Sequence, residues 1–310
     1  MGRVDEAMRR AAEAATPRPL DRSTDSAAAP EPGQDPLSLR AESFPAEMPE
    51  RPRLRSVSVL HPAAEAPEAK SALIPDLGDR IDARLQRKVV IDQNMDPASR
   101  EQYRRLAAGL HATQAAAGLK VVMMASAVAS EGKSLTSSNL ALTFSESYQR
   151  NVLLIDGDLR RPSLHTIFGL ESSPGLSEGL LAPDDRKLPL HRVSSRLTVL
   201  TAGQPTSDPM GALSSERMRR LVEEARETFD WVVIDTPPIG LLSDASLLAQ
   251  MADGAILVVK AGATPYDLVQ RAVAALGRDR LLGVVLNRAD APNAAGYKYH
   301  SYYGTSSASR

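Results

Sequence analysis

Apolar residues gather along this chain in short, nearly unbroken runs. They are Val121–Met124, Val152–Ile155, Leu197–Leu200, Trp231–Ile234, Ala255–Val259 and Leu282–Leu286. A run of this length without polar alternation reads as a strand buried on both faces. Between most of these runs apolar positions recur at helical spacing, over 134–147, 214–228, 243–251 and 266–277. Strands alternating with helices predict an α/β fold, a doubly wound and mainly parallel sheet covered on both sides. A ligand of such a sheet belongs outside the carboxyl ends of its strands.

Ahead of this part the pattern changes. Val4, Met8, Ala11, Ala12 and Ala15 share one face of a short amphipathic helix over 1–16, ending before Pro17. Half of the 22 prolines lie before residue 80. A segment so rich in Pro, Ala, Glu and Ser buries too little apolar surface to offset its chain entropy, so 17–80 is expected to be a disordered linker. Met95-Asp96-Pro97-Ala98-Ser99-Arg100-Glu101 reads as a helix start, followed by Tyr103, Leu106 and Leu110 at helical intervals. The globular domain is expected over 81–291 and a flexible tail over 292–310. Of the seven tyrosines, Tyr297, Tyr299, Tyr302 and Tyr303 fall in that tail, in GYKYHSYYGTSSASR. A stretch with Gly, Ser and no core-forming pattern is not holding tyrosines for packing.

The chemistry gathers at the ends of the runs. After the first comes Ala127-Val128-Ala129-Ser130-Glu131-Gly132-Lys133-Ser134, and after that a helical pattern. A strand-to-helix turn aims backbone N–H groups and a helix dipole at phosphate oxygens. Gly132 lets the backbone approach closely, Lys133 reaches the β/γ-phosphates and the Ser134 hydroxyl can ligand Mg²⁺. The second run ends in Asp156-Gly157-Asp158 and the fourth in Asp235-Thr236-Pro237-Pro238. Any one of these acids could be a turn or cap residue. Three of them at strand ends beside Gly-Lys-Ser point to a nucleotide·Mg²⁺ site, since Mg²⁺ takes oxygen ligands and a phosphoryl acceptor needs a base.

Composition narrows this further. The chain has 310 residues, a net charge of −1 and no cysteine. Near-neutral charge without a basic aromatic face argues against a nucleic-acid partner. Absence of cysteine excludes a thiolate metal site and a catalytic thiol. No apolar run approaches the ~20 residues that span a bilayer. Work at a membrane would need another component to hold the chain there.

Taken together, ASAVASEGKSLTSSNLA, LLIDGDLRRPSLHTIFGL, GLSEGLL, LTAGQPTSDP, FDWVVIDTPPIGLLSDA and GVVLNR resemble, in order, the bacterial tyrosine kinases of capsule and exopolysaccharide biosynthesis. The resemblance covers about Asp96–Tyr303. It implies an ATP- and Mg²⁺-dependent P-loop autokinase that phosphorylates its own tail, with Tyr297, Tyr299, Tyr302 and Tyr303 as acceptors. Carried over, Asp156 is the acceptor-activating base, Asp158 and Asp235 join Ser134 around Mg²⁺, and Lys133 is catalytic. Ala129, Ser130, Glu131, Gly132, Lys133, Ser134 and Leu135 would hold the phosphates, and Asn287, at the end of the last run, would read adenine. The family also implies an integral-membrane activator of the polysaccharide co-polymerase kind and a cognate tyrosine phosphatase. It places the protein in the cytoplasm, recruited to the inner face of the membrane.

The chain departs from the family pattern in places. Ala129-Ser130 stand where Pro-Gly is usual, and a Ser in place of Gly restricts the backbone. Leu135 stands where Thr is common. The oligomerisation motif Glu-x-x-Arg-x-x-Arg has Glu101 and Arg104 but Ala107 at its third position, which leaves a ring-like homo-oligomer less secure than catalysis. Two alternatives share the fold. A Par- or Min-type ATPase switch would carry a second lysine where Val128 stands. A nucleotide-binding regulator with weak catalysis would keep the loop without phosphorylating tyrosines.

Overall fold

The computed structural model describes residues 77–182, 187–239 and 244–289. The amphipathic helix expected over 1–16, most of the expected linker and the tail tyrosines lie outside the described residues. The described chain opens with a short helix, α1 (Leu77–Arg80), and then α2 (Pro97–Ala117). Asp96 caps α2 by accepting from the Ser99 N–H at 2.8 Å, and Gly118 ends it at φ +70°. Next come β1 (Val121–Ser126), α3 (Lys133–Leu142) and β2 (Val152–Asp156). The short helices α4 (Leu164–Ile167) and α5 (Leu176–Leu181) follow, then β3 (His191–Arg192) and β4 (Leu197–Leu200). The chain continues through α6 (Pro209–Leu213), α7 (Glu216–Thr228) and β5 (Trp231–Asp235). It closes with α8 (Asp244–Met251), β6 (Gly254–Lys260), α9 (Tyr266–Leu276) and β7 (Leu281–Asn287).

The strands form one sheet in the order β3-β4-β2-β5-β1-β6-β7. Every neighbouring pair is parallel except β3 with β4. β1 is fully buried along its length because helices cover both faces. Val121, Met123 and Ala125 face one core, shared with α6, α7, α8 and α9. Val122 and Met124 face the other, shared with α2 and α3. A strand wetted on neither side has no use for polar alternation, which is why its sequence shows none. Trp231 opens β5 wholly buried, its ring stacked on Phe144 at 4.3 Å.

Three details differ from the sequence reading. The helix expected over 134–147 is α-helical only to Leu142, and Thr143–Ser147 make a π-helical turn. The two-residue β3 carries no apolar run and pairs antiparallel on the edge beyond β4. β7 is an edge strand as well, and one face of its apolar run is uncovered: Leu282, Val284 and Leu286 are 38%, 48% and 64% exposed. Order around residues 85–92, by contrast, has a clear cause. The Asn139 side chain on α3 accepts from the Val90 N–H and donates to the Lys88 carbonyl, each at 2.9 Å. That bond pair fastens the segment before α2 to the helix that follows the phosphate loop.

Candidate nucleotide and phosphoryl-transfer site

β1, β2 and β5 lie side by side in the sheet and end at the same side, so the loop and the three acids meet although Lys133 and Asp235 are 102 positions apart. The loop from Ala127 to Gly132 turns into α3, whose first residue is Lys133. Gly132 takes φ +91°, and a Cβ there would lie 2.0 Å from the Asn287 Nδ2. Glycine is required on both counts. Ser130 also sits in the left-handed region, at φ +64°, where a side chain is uncomfortable and glycine is the usual occupant.

Glu131 does not present its carboxylate to a ligand. It is 1% exposed. Its Oε2 accepts from the Val128 N–H at 2.9 Å, while Oε1 accepts from the Lys260 N–H and the Thr264 hydroxyl. It braces the loop to the end of β6. Asn287, at the end of β7, donates from Nδ2 to the Glu131 carbonyl at 2.7 Å and accepts from the Arg288 N–H. The side chain expected at adenine is therefore engaged in shaping the loop. Both braces come from strands far along the chain, and no local sequence signal marks them.

Lys133 and Asp235 form a buried ion pair at 2.7 Å, their side chains 8% and 0% exposed. The Ser134 hydroxyl lies 3.4 Å from the Lys133 Nζ. Asp235 Oδ2 is buried without a hydrogen-bond partner among the described residues. An acceptor left in that condition is costly unless something satisfies it, and a hard cation would do so. Among the described residues no three carboxylates or imidazoles converge closely enough to hold a metal by themselves. Mg²⁺ typically binds through one or two carboxylates together with phosphates and water.

Asp156 is wholly buried. One of its oxygens accepts from the Asp158 N–H, and the other accepts from the Ser163 and Leu164 N–H groups at 2.9 Å each. Burial, and next the charge of Asp235, push its carboxyl up to about 7 despite those bonds. Asp158 is 8% exposed, and burial raises it as well. Its Oδ1 accepts from the Arg161 N–H at 3.0 Å and from the Arg160 N–H at 3.3 Å. The Gly157 N–H donates to the Asp235 carbonyl at 2.7 Å, which ties the ends of β2 and β5 together.

Two further features were not singled out from the sequence. Arg160 reaches Asp244, the first residue of α8, at 2.6 Å. Glu178, in GLSEGLL, accepts from the Gly175 N–H, the Gln204 N–H and the Ser173 hydroxyl. Burial works against ionisation of Glu178, but these donors outweigh it and bring the carboxyl down to about 2. Both residues lie inside stretches whose order is informative, yet neither type is unusual at its position.

With this geometry established, comparison with known proteins is informative. A family model described as ParA: NUBPL iron-transfer P-loop NTPase matches residues 119–310. Tyrosine-protein kinase YwqD of Bacillus subtilis (strain 168) is 36% identical over 226 residues, covering 72% of this chain and 94% of that protein. Tyrosine-protein kinase CpsD of Streptococcus pneumoniae serotype 4 is 35% identical over 176 residues, 56% of this chain and 77% of that protein. The solved kinase domain of Escherichia coli tyrosine kinase ETK superposes with a TM-score of 0.57 at 30% identity, covering 64% of this chain and 80% of that one. The full ETK protein is much longer, and the match spans only 24% of it. A P-loop NTPase fold with its strand-end acids in place, matched across nearly the whole of YwqD, makes this chain a member of the bacterial tyrosine-protein kinase family.

Proposed function

We propose that this protein is an ATP-dependent tyrosine autokinase, with Tyr297, Tyr299, Tyr302 and Tyr303 of a neighbouring copy as acceptors. The observation that carries the reading is the buried Lys133–Asp235 pair at 2.7 Å, beside Asp156 and Asp158. Lys133 exchanges its bond to Asp235 for the β/γ-phosphates, and the N–H groups of Ala129 to Leu135 line the phosphates. Ser134, Asp158 and Asp235 would hold Mg²⁺, which when bound neutralises charge on the β- and γ-oxygens. The tyrosine oxygen forms a bond to the γ-phosphorus as the bond from that phosphorus to the bridging oxygen breaks, and ADP leaves. Asp156 accepts the phenolic proton. A carboxyl raised to about 7 is matched to that task near neutral pH. Asn287 shapes the loop, and contact with adenine would fall to the N–H it does not give to Glu131.

The sequence resemblance implies, and we include in the proposal, a role beside polysaccharide synthesis or export, with an integral-membrane co-polymerase as activator and a tyrosine phosphatase to reset the tail. No helix among the described residues is long and apolar enough to cross a membrane. In this proposal the partner brings the protein to the inner face. Iron transfer, a phrase in the matched family's description, is not carried over, because the chain has no cysteine thiolate to hold an iron–sulfur cluster.

Phosphosite mass spectrometry on the protein expressed with and without candidate membrane tails tests this directly. Phosphate on residues 297–303 should appear in the wild type and vanish in Lys133→Met, with the circular dichroism of the domain unchanged. A well-folded Lys133→Met protein that still carries the phosphate would sink the assignment.

A further inference from the structure

Asp244 is 1% exposed, and a buried carboxylate is expensive unless it is paired and hydrogen-bonded. The Arg160 guanidinium meets it with two bonds, Nε to Oδ2 at 2.6 Å and Nη2 to Oδ1 at 3.3 Å. This two-toothed arrangement fixes direction as well as distance. Arg160 is also one of the two residues whose backbone N–H groups wrap the Asp158 carboxylate. The side chain is thus fastened to α8 while the main chain of the same residue shapes the acid expected beside Mg²⁺.

A second tie lies on the other side of Asp158, where the Gly157 N–H donates to the Asp235 carbonyl. Asp158 is held between two anchors, one on the last residue of β5 and one on the first residue of α8. We propose that Arg160 is a positioning residue for phosphoryl transfer: through Asp244 it holds the Asp156–Arg161 loop against the β5–α8 side of the site, so that Asp158 keeps its orientation toward the reacting phosphate. The proposal rests on the autokinase reading above. Arg160 acts through Asp158 and Asp244 and makes no contact with substrate itself.

The test compares wild type, Arg160→Ala, Asp244→Ala, the double variant and Arg160→Lys. Three quantities are read on each: the single-turnover rate of tyrosine phosphorylation, the affinity for ATP, and the thermal midpoint. Misplacing a reacting group by about an ångström costs on the order of a hundredfold. Each single alanine variant should therefore slow transfer roughly ten- to a hundredfold, with ATP affinity within about threefold of wild type. The double variant should be no slower than the slower single, because both changes break one link. Arg160→Lys should recover part of the rate, since it keeps the charge and loses the fork. The proposal is overturned if Arg160→Ala transfers at the wild-type rate, if the two losses multiply in the double variant, or if the rate falls only in step with ATP affinity and midpoint. A wild type that hydrolyses ATP but leaves its tyrosines unmodified would instead overturn the autokinase reading. ATP turnover in the same variants would then decide the role of Arg160.

Discussion

Ser130, like Gln149 and Arg288, is a described non-glycine residue held in the left-handed region. At φ +64° it occupies a region that costs a non-glycine residue roughly 1–2 kcal/mol. Ser130→Gly should relieve this strain. The net gain will be smaller, because glycine also has more unfolded-state freedom to lose. We expect a rise of up to about 1 kcal/mol in unfolding free energy, with unchanged or tighter ATP binding, read by denaturant titration and calorimetry. A lower midpoint would show that the serine is favoured by a contact of its own. Asp156 makes a separate prediction, about pH. Its carboxyl stands at about 7 when folded against an ordinary 3.8, so between those values the folded protein keeps a proton that the unfolded chain has released. Stability from this group is fully present below the unfolded value and is lost as pH rises through about 7. The domain without nucleotide or Mg²⁺ should therefore lose on the order of 2–4 kcal/mol of stability from this source as pH rises across that window. Asp156→Asn should flatten the slope of denaturation free energy between about pH 4 and 7. An unchanged slope would mean that Asp156 ionises as freely as an exposed acid.

At the scale of elements, the site depends on β2 and β5 ending in register, with Asp156 beside Asp235. Gly157 makes that possible. A Cβ on it would lie 2.9 Å from the Asp235 carbonyl and 2.9 Å from a Leu248 methyl carbon on α8. Neither backbone nor a packed helix gives way cheaply, so Gly157→Ala should push the loop off β5 at a cost of about 1–3 kcal/mol. Kinase activity should fall by more than the loss of folded protein explains, as measured by specific activity after correcting for the folded fraction. Much of this level is legible in the sequence. The apolar runs mark the parallel strands because burial on both faces removes alternation, and the Asp96-Pro97 pair marks the start of α2. Other elements escape notice for physical reasons. β3 is too short to carry a pattern, and the π-helical turn after Leu142 leaves the apolar spacing almost as it was.

Over the whole molecule, what a local pattern cannot carry is adjacency. The acids could be placed at strand ends from sequence, but the order β2-β5-β1 that brings them together is a long-range outcome. Arg160 and Asp244 lie 84 positions apart, and Asn287 meets Glu131 across 156. Neither partnership follows from spacing. Ala107 is a milder case: its departure from the oligomerisation motif was visible, but its complete burial against the sheet was not. An arginine at that place would begin its side chain inside the core, so restoring the motif is no simple surface change. β7 looks like β6 in sequence but has no neighbour on its far side among the described residues and leaves one face uncovered. The bare apolar side chains of Val284 and Leu286, next to main-chain groups with no ladder beyond them, are the setting in which foreign strands add to a sheet. Self-association at high concentration is expected to begin here, well apart from the chemistry. Val284→Lys should raise the concentration at which light scattering still reports a single species, leaving ATP affinity where it was. If the native chain stays single only when dilute, this strand is the first place to change.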